Sequence, residues 1–297
     1  MNNFKKIGLT ALAASLVSTS VFAGEVTVAG SASMTVEGYS SAGSINAGKG
    51  FSMGNQLTFT GGGELDNGMT VGISFVLDQG DEGTTGSGTS PFDSHSISIS
   101  SDALGTFKLH GEGGSSAQAA IDTTAAGDIW DTFDGSTTGT TVSSSASGAD
   151  IMVYTLPAMV DGLSATASFS PKESGDASST AWALTYTGFE GLSASYGKGD
   201  KSTGVSTTEA DATTMKASYA IGSFTVAYSN NDYQTAVANK DQETTSYKVS
   251  YTVSDEISVS YGTETIDLEN TAADAEFEKL SVAYTSGGMT VTATQAS

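Results

Sequence analysis

The chain contains no cysteine and no arginine, three prolines and two histidines in 297 residues. Without cysteine there is no disulfide scaffold, no thiolate metal site and no thiol nucleophile. Basic residues are scarce as well, 11 against 33 acids, for a net charge of -22 and a pI near 4.1, a balance that argues against nucleic acid as a partner. The hydrophobic share is 38%, low for a large soluble core but suited to strands whose second face meets water. Catalytic motifs are missing too. There is no G-x-S-x-G elbow and no H-E-x-x-H helix, and His95 and His110 read as rim or lumen residues rather than ligands. The glycine runs at Gly61 to Gly63 and Gly111 to Gly114 precede neither a helix nor a Lys-Ser/Thr pair, which argues against a phosphate cradle, and no enzymatic activity is expected.

What is present is alternation. In Leu57 to Leu77, Leu57 and Phe59 precede a Gly-rich turn at Asp66-Asn67-Gly68, and Met69, Val71, Ile73, Phe75 and Leu77 follow at every second position. This is the pattern of a β-hairpin with one apolar face, which has no stable core by itself. The pattern recurs to the end of the chain and predicts fifteen strands near 25–37, 51–60, 68–78, 94–101, 105–111, 150–156, 162–170, 180–187, 191–199, 212–220, 222–231, 244–252, 256–263, 277–285 and 288–294. Short turns alternate with long polar loops, the rule of a transmembrane β-barrel with turns on one side and loops on the other.

Residues 1–23 read as a cleaved secretory signal: Lys5 and Lys6, an apolar run from Ile7 to Val17, and a Val21-Phe22-Ala23 end. That run is short for a spanning helix and no later one is longer, so membrane insertion requires a closed barrel. Taking Phe107 and Leu109, Met215 and Tyr219, Tyr247, Val249 and Tyr251, and Leu280, Val282 and Tyr284 as outward places Lys108, Lys216, Lys248 and Lys279 on the lumen face. Tyr186, Tyr219, Tyr251 and Tyr284 stand near short turns, where an aromatic girdle belongs. A secreted or surface-attached β-sandwich, an adhesin or structural protein, would also place the lysines on a polar face and remains the competing class.

Three segments in order carry a resemblance to general-diffusion porins of the alphaproteobacterial type: LTFTGGGELDNGMTVGISF from Leu57, SISSDALGTFKLHG from Ser98 to Gly111, and VYTLPAMVDGLSATASF from Val153 to Phe169. The resemblance implies a sixteen-stranded antiparallel barrel in the bacterial outer membrane, commonly a homotrimer, passing small hydrophilic solutes and ions by diffusion. It also implies that the third long loop, 112–149, folds inward as the pore constriction. That loop carries Glu112, Asp122, Asp128, Asp131 and Asp134, with Ile121, Ile129, Trp130 and Phe133 as apolar groups to pin it to the wall. Lys108, His110, Lys216, Lys248 and Lys279 are the groups left to form the basic wall in the absence of arginine. With histidine neutral, the loop's carboxylates face fewer lysines, so cation selectivity is expected. Residues 24–297 are expected to form the barrel, with fifteen strands visible. The chain stops at Ser297 without a closing aromatic strand, so either it ends before a sixteenth strand or it closes unusually, and the cost of an open edge in lipid favours the former. No cofactor is expected. Two acidic clusters, Asp78-Asp81-Glu82 and Asp267-Glu269-Asp274-Glu276, have oxygen ligands suited to Ca²⁺ but lack EF-hand spacing.

Overall fold

The computed structural model describes residues 26–39, 48–78, 93–132, 142–171, 177–202, 209–269 and 274–297. The signal segment 1–23, Asp81, Glu82, Phe133 and Asp134 lie outside the described residues. One fifteen-stranded antiparallel sheet runs in chain order. Its first half is β1 (Thr27–Tyr39), β2 (Gly48–Glu64), β3 (Thr70–Asp78), β4 (Ser94–Ser101) and β5 (Gly105–Glu112). A loop containing the short strands β6 (Gly114–Ser115) and β7 (Ser147–Gly148) follows. The sheet resumes with β8 (Ile151–Thr155), β9 (Leu163–Ser170), β10 (Ser179–Tyr186), β11 (Leu192–Lys201) and β12 (Ala210–Ile221). It ends with β13 (Phe224–Thr235), β14 (Gln242–Thr252), β15 (Ile257–Leu268), β16 (Ala275–Ser286) and β17 (Met289–Ala296). Each strand of the sheet pairs with its neighbours in sequence, so there is one meander and not the two packed sheets of a sandwich.

Alternation decides which face each strand turns outward. Leu57, Phe75, Phe107, Leu109, Trp182, Tyr196, Met215, Tyr247, Val249, Tyr261, Leu280 and Val282 are all exposed, whereas the intervening residues are buried or half-buried and mostly Ser, Thr, Lys, Gly or Ala. An aqueous protein would hide such a continuous apolar band; a lipid-facing wall displays it. Near the short-turn end, Phe224 packs on Tyr251 with ring centroids 4.7 Å apart, and Phe189 stacks on Tyr219 at 6.3 Å. Among the described residues no ladder joins β1 to β17, and the expected sixteenth strand has no counterpart.

Two boundaries differ from the alternation pattern. Gly61 to Gly63 were expected in a turn, yet they extend β2, opposite Ile73, Gly72 and Val71. Glycine lacks a side chain to show its face but keeps its backbone donor and acceptor, and the apolar run of β3 needs partners along its whole length. The turn itself is tighter. Leu65 N donates to Met69 O at 2.7 Å, Gly68 N donates to Leu65 O at 2.8 Å, and Gly68 takes φ of 79°, where a Cβ would be strained. Towards the long-loop end, β12 to β15 reach further than expected, β15 as far as Leu268.

Candidate functional site

Between β5 and β8 the described residues 113–132 and 142–150 form two limbs that lie against the inner wall. Their base is the β6–β7 ladder, Gly114 opposite Gly148 and Ser115 opposite Ser147. The outgoing limb then runs across successive strands. Ala117 N donates to Ser168 Oγ on β9 at 2.8 Å, and Gln118 Nε2 donates to Thr214 Oγ1 on β12 at 2.8 Å. Asn231 Nδ2 on β13 donates to Asp122 O at 2.6 Å, and Lys216 Nζ on β12 donates to Thr123 O at 2.6 Å. Ala125 N donates to Ser229 Oγ on β13 at 2.8 Å, Ala126 N donates to Ser246 Oγ on β14 at 3.0 Å, and Glu264 on β15 receives the turn that follows. The returning limb is tied in by Ser143 N to Gln242 Oε1 at 2.8 Å and Ser145 N to Gln118 Oε1 at 2.9 Å. Ile121 packs on Ala117, Ala181 and Ala183, while Ile129 is fully buried, so two of the expected apolar pins do hold the loop.

Strand register explains why the wall can receive a loop backbone. Directly opposed residues across four strands form one rung, Lys216, Ser229, Ser246 and Glu264, and every member bonds the loop. The rung above contains Thr214, Asn231, Thr244 and Ile266, of which the first two bond the loop. The rung below holds Lys248, Gly262 and Lys279 in direct opposition. Gly262 is the close approach: a Cβ there would lie 2.7 Å from the Ala126 Cβ.

The residues expected to form the acidic loop and basic wall are distributed as follows. Asp122 and Asp128 are half-buried in the loop beside Lys216, and Asp128 also acts on Lys279 along with Glu264 and Lys248. Burial pushes the Asp122 carboxyl up to about 6, the neighbouring Asp128 adds to this, and a hydrogen bond from Ser144 and the charge of Lys216 oppose it. Asp131 is exposed on the loop. Glu112 lies at the loop's root, 3.9 Å from His95 Nδ1, and Lys108 and His110 stand earlier on the same strand, β5. Lys216, Lys248 and Lys279 therefore stand on the strands that the loop rests upon. Glu264, Ser168, Thr214, Ser229, Asn231, Ser246, Gln118 and Gln242 were not singled out from the sequence. For those on β12 to β15 the signal was a polar residue at every second position, visible only once neighbouring strands are in register. Among the described residues no three His, Asp or Glu side chains gather as a metal site, the 267–276 cluster included.

An antiparallel sheet that is apolar outside and polar within, with a hairpin bonded to its inner face, defines a transmembrane β-barrel channel. The family model for Gram-negative porins matches residues 8–296, and the chain belongs to that family. Solved structures agree in fold. The anion-selective porin from Comamonas acidovorans aligns at TM-score 0.67 and 16% identity, over 92% of this chain and 88% of its own. A substituted form of the Rh. blastica porin aligns at TM-score 0.65 and 16% identity, over 92% of this chain and 94% of its own. A structure described as concerning asymmetric conductivity of engineered proteins reaches TM-score 0.68 at 16% identity, over 92% of this chain and 94% of its own. No curated protein matches by sequence. The protein is an outer-membrane diffusion channel of Gram-negative bacteria, and its family and fold are those of channels rather than enzymes.

Proposed function

We propose that the protein is a cation-preferring channel for small hydrophilic solutes, with its bore narrowed by the hairpin 112–149. The observation that carries this reading is the run of wall hydrogen bonds from Ser168 to Glu264, which holds the hairpin on the inner wall between the channel's two mouths. Charge sets the preference. Asp122, Asp128 and Asp131 ride on the hairpin, while Lys216 is occupied by Thr123 O and the adjoining carboxylates, so the basic side of the bore is partly neutralised. Low-dielectric walls focus the remaining negative field and concentrate cations. Glu112 at the hairpin root has His95 within 3.9 Å, and Lys108 stands further along the same strand, β5. Export through the signal 1–23, a barrel domain of 24–297 and assembly as a homotrimer belong to the same reading, as the porin resemblance implies. The test is the reversal potential of the refolded protein in a planar bilayer under a KCl gradient. The reading expects the sign of K⁺ preference; the Cl⁻ sign overturns it.

A further inference from the structure

We propose that Glu264 is the positioning residue of the constriction: its one carboxylate clamps both ends of the turn Thr124–Trp130 and so fixes how far the hairpin stands from the wall. This rests on the reading of the hairpin as the narrowing element. Glu264 is 1% exposed, faces inward from β15, and ends the rung in which Lys216, Ser229 and Ser246 each make one bond to the loop. Glu264 makes three. Oε2 accepts from Thr124 Oγ1 at 2.7 Å and from Ile129 N at 3.3 Å, and Oε1 accepts from Trp130 N at 3.3 Å.

The turn is strapped internally as well. Thr124 N donates to Asp128 Oδ1 at 2.9 Å, Asp128 N donates to Thr124 Oγ1 at 2.7 Å, and Asp128 is held at φ of 50°, where a non-glycine residue is strained. Thr124 Oγ1 therefore relays the clamp: it accepts a hydrogen bond from the strained residue's N–H and donates its own O–H to Glu264. Only a carboxylate meets this demand. Two acceptor oxygens face two backbone N–H groups and one hydroxyl, whereas a glutamine would turn an NH₂ toward one of those donors. Because the carboxylate is covered by the loop, it acts on the passage through loop position and not by touching solute.

Four variants test the clamp in planar bilayers: Glu264→Gln, Thr124→Val, the double variant, and Thr124→Ser, which keeps the hydroxyl. Heat-modifiable migration on a detergent gel first establishes that each barrel is folded. Glu264→Gln and Thr124→Val are each expected to raise the frequency of brief closures about tenfold, the scale of losing one charge-assisted hydrogen bond. The double variant is expected to match the single ones, since both break the same relay, and Thr124→Ser to match the parent. Parental noise in Glu264→Gln, or additive effects in the double variant, overturns the proposal. If Glu264→Gln does not fold, Thr124→Val against Thr124→Ser decides alone. Ala120→Trp, at an exposed loop position, separates the two levels of argument. A reduced cut-off for neutral polymers in Ala120→Trp with a silent Glu264→Gln removes only the clamp; an unchanged cut-off removes the constriction reading itself.

Discussion

A methyl group added at Gly262 has a calculable consequence for the channel. The new Cβ would lie 2.7 Å from the Ala126 Cβ and 3.4 Å from its Cα, where carbon atoms prefer about 3.5 to 4.0 Å. The strand cannot retreat, because Gly262 is paired to Lys248 on one side and Lys279 on the other. The loop must therefore move inward by about 1 Å. That displacement takes the Ala126 N to Ser246 bond, now 3.0 Å, and the Ala125 N to Ser229 bond, now 2.8 Å, beyond hydrogen-bonding range. At roughly 1 to 2 kcal/mol for each buried donor left without a partner, Gly262→Ala costs the docked loop about 2 to 4 kcal/mol while leaving the sheet intact. Single-channel recording is expected to show lower conductance and more closures, with normal heat-modifiable migration. Gly288→Ala, where nothing lies within 4 Å of the added atom, is the control. Parental conductance and noise in folded Gly262→Ala would refute the close packing of loop on wall.

Other expectations follow from charge and register. With the Asp122 carboxyl raised to about 6, chiefly by burial, its protonated form favours the folded loop. That contribution is full below the ordinary carboxylate value and is lost as pH rises through about 6, while the bore gains negative charge over the same range. K⁺ preference should therefore increase from about pH 5 to about pH 7, and Asp122→Asn should flatten the reversal-potential curve. Lys216→Met removes the cation bonded to Thr123 O, so the same measurement should shift further toward K⁺. Val249 faces lipid beside Lys248, which faces the lumen, so Val249→Lys should cost about 2 to 4 kcal/mol in folding into vesicles. A free-energy loss below about 1 kcal/mol would contradict the assigned register.

Much of the wall was legible because alternation is a local property: Met69 to Leu77 or Tyr247 to Tyr251 announce their faces without help from neighbouring strands. Strand ends were harder to read. Polar runs such as Thr263 to Leu268 resemble loop, yet their backbone completes the ladder with β14 and β16. Ending the thirteenth expected strand at residue 263 assigned Glu264 to a loop and hid it. The loop's seat was hidden for a deeper reason. Lys216, Ser229, Ser246 and Glu264 are spread over 49 residues of sequence and become one rung only through the pairing register of four strands. The acids of the loop were visible, but their proximity to Lys216 and Lys279 depends on where the hairpin comes to rest.

The central claim is that the hairpin lines a water-filled bore, and the lack of native cysteine allows a clean test. Ala120→Cys, at an exposed position on the loop, can be modified in single channels by a bulky, positively charged thiol reagent added to the aqueous phase. The account predicts a stepwise fall in conductance at each modification together with a shift away from K⁺ preference. Complete modification, established by mass, with no change in either quantity would contradict it.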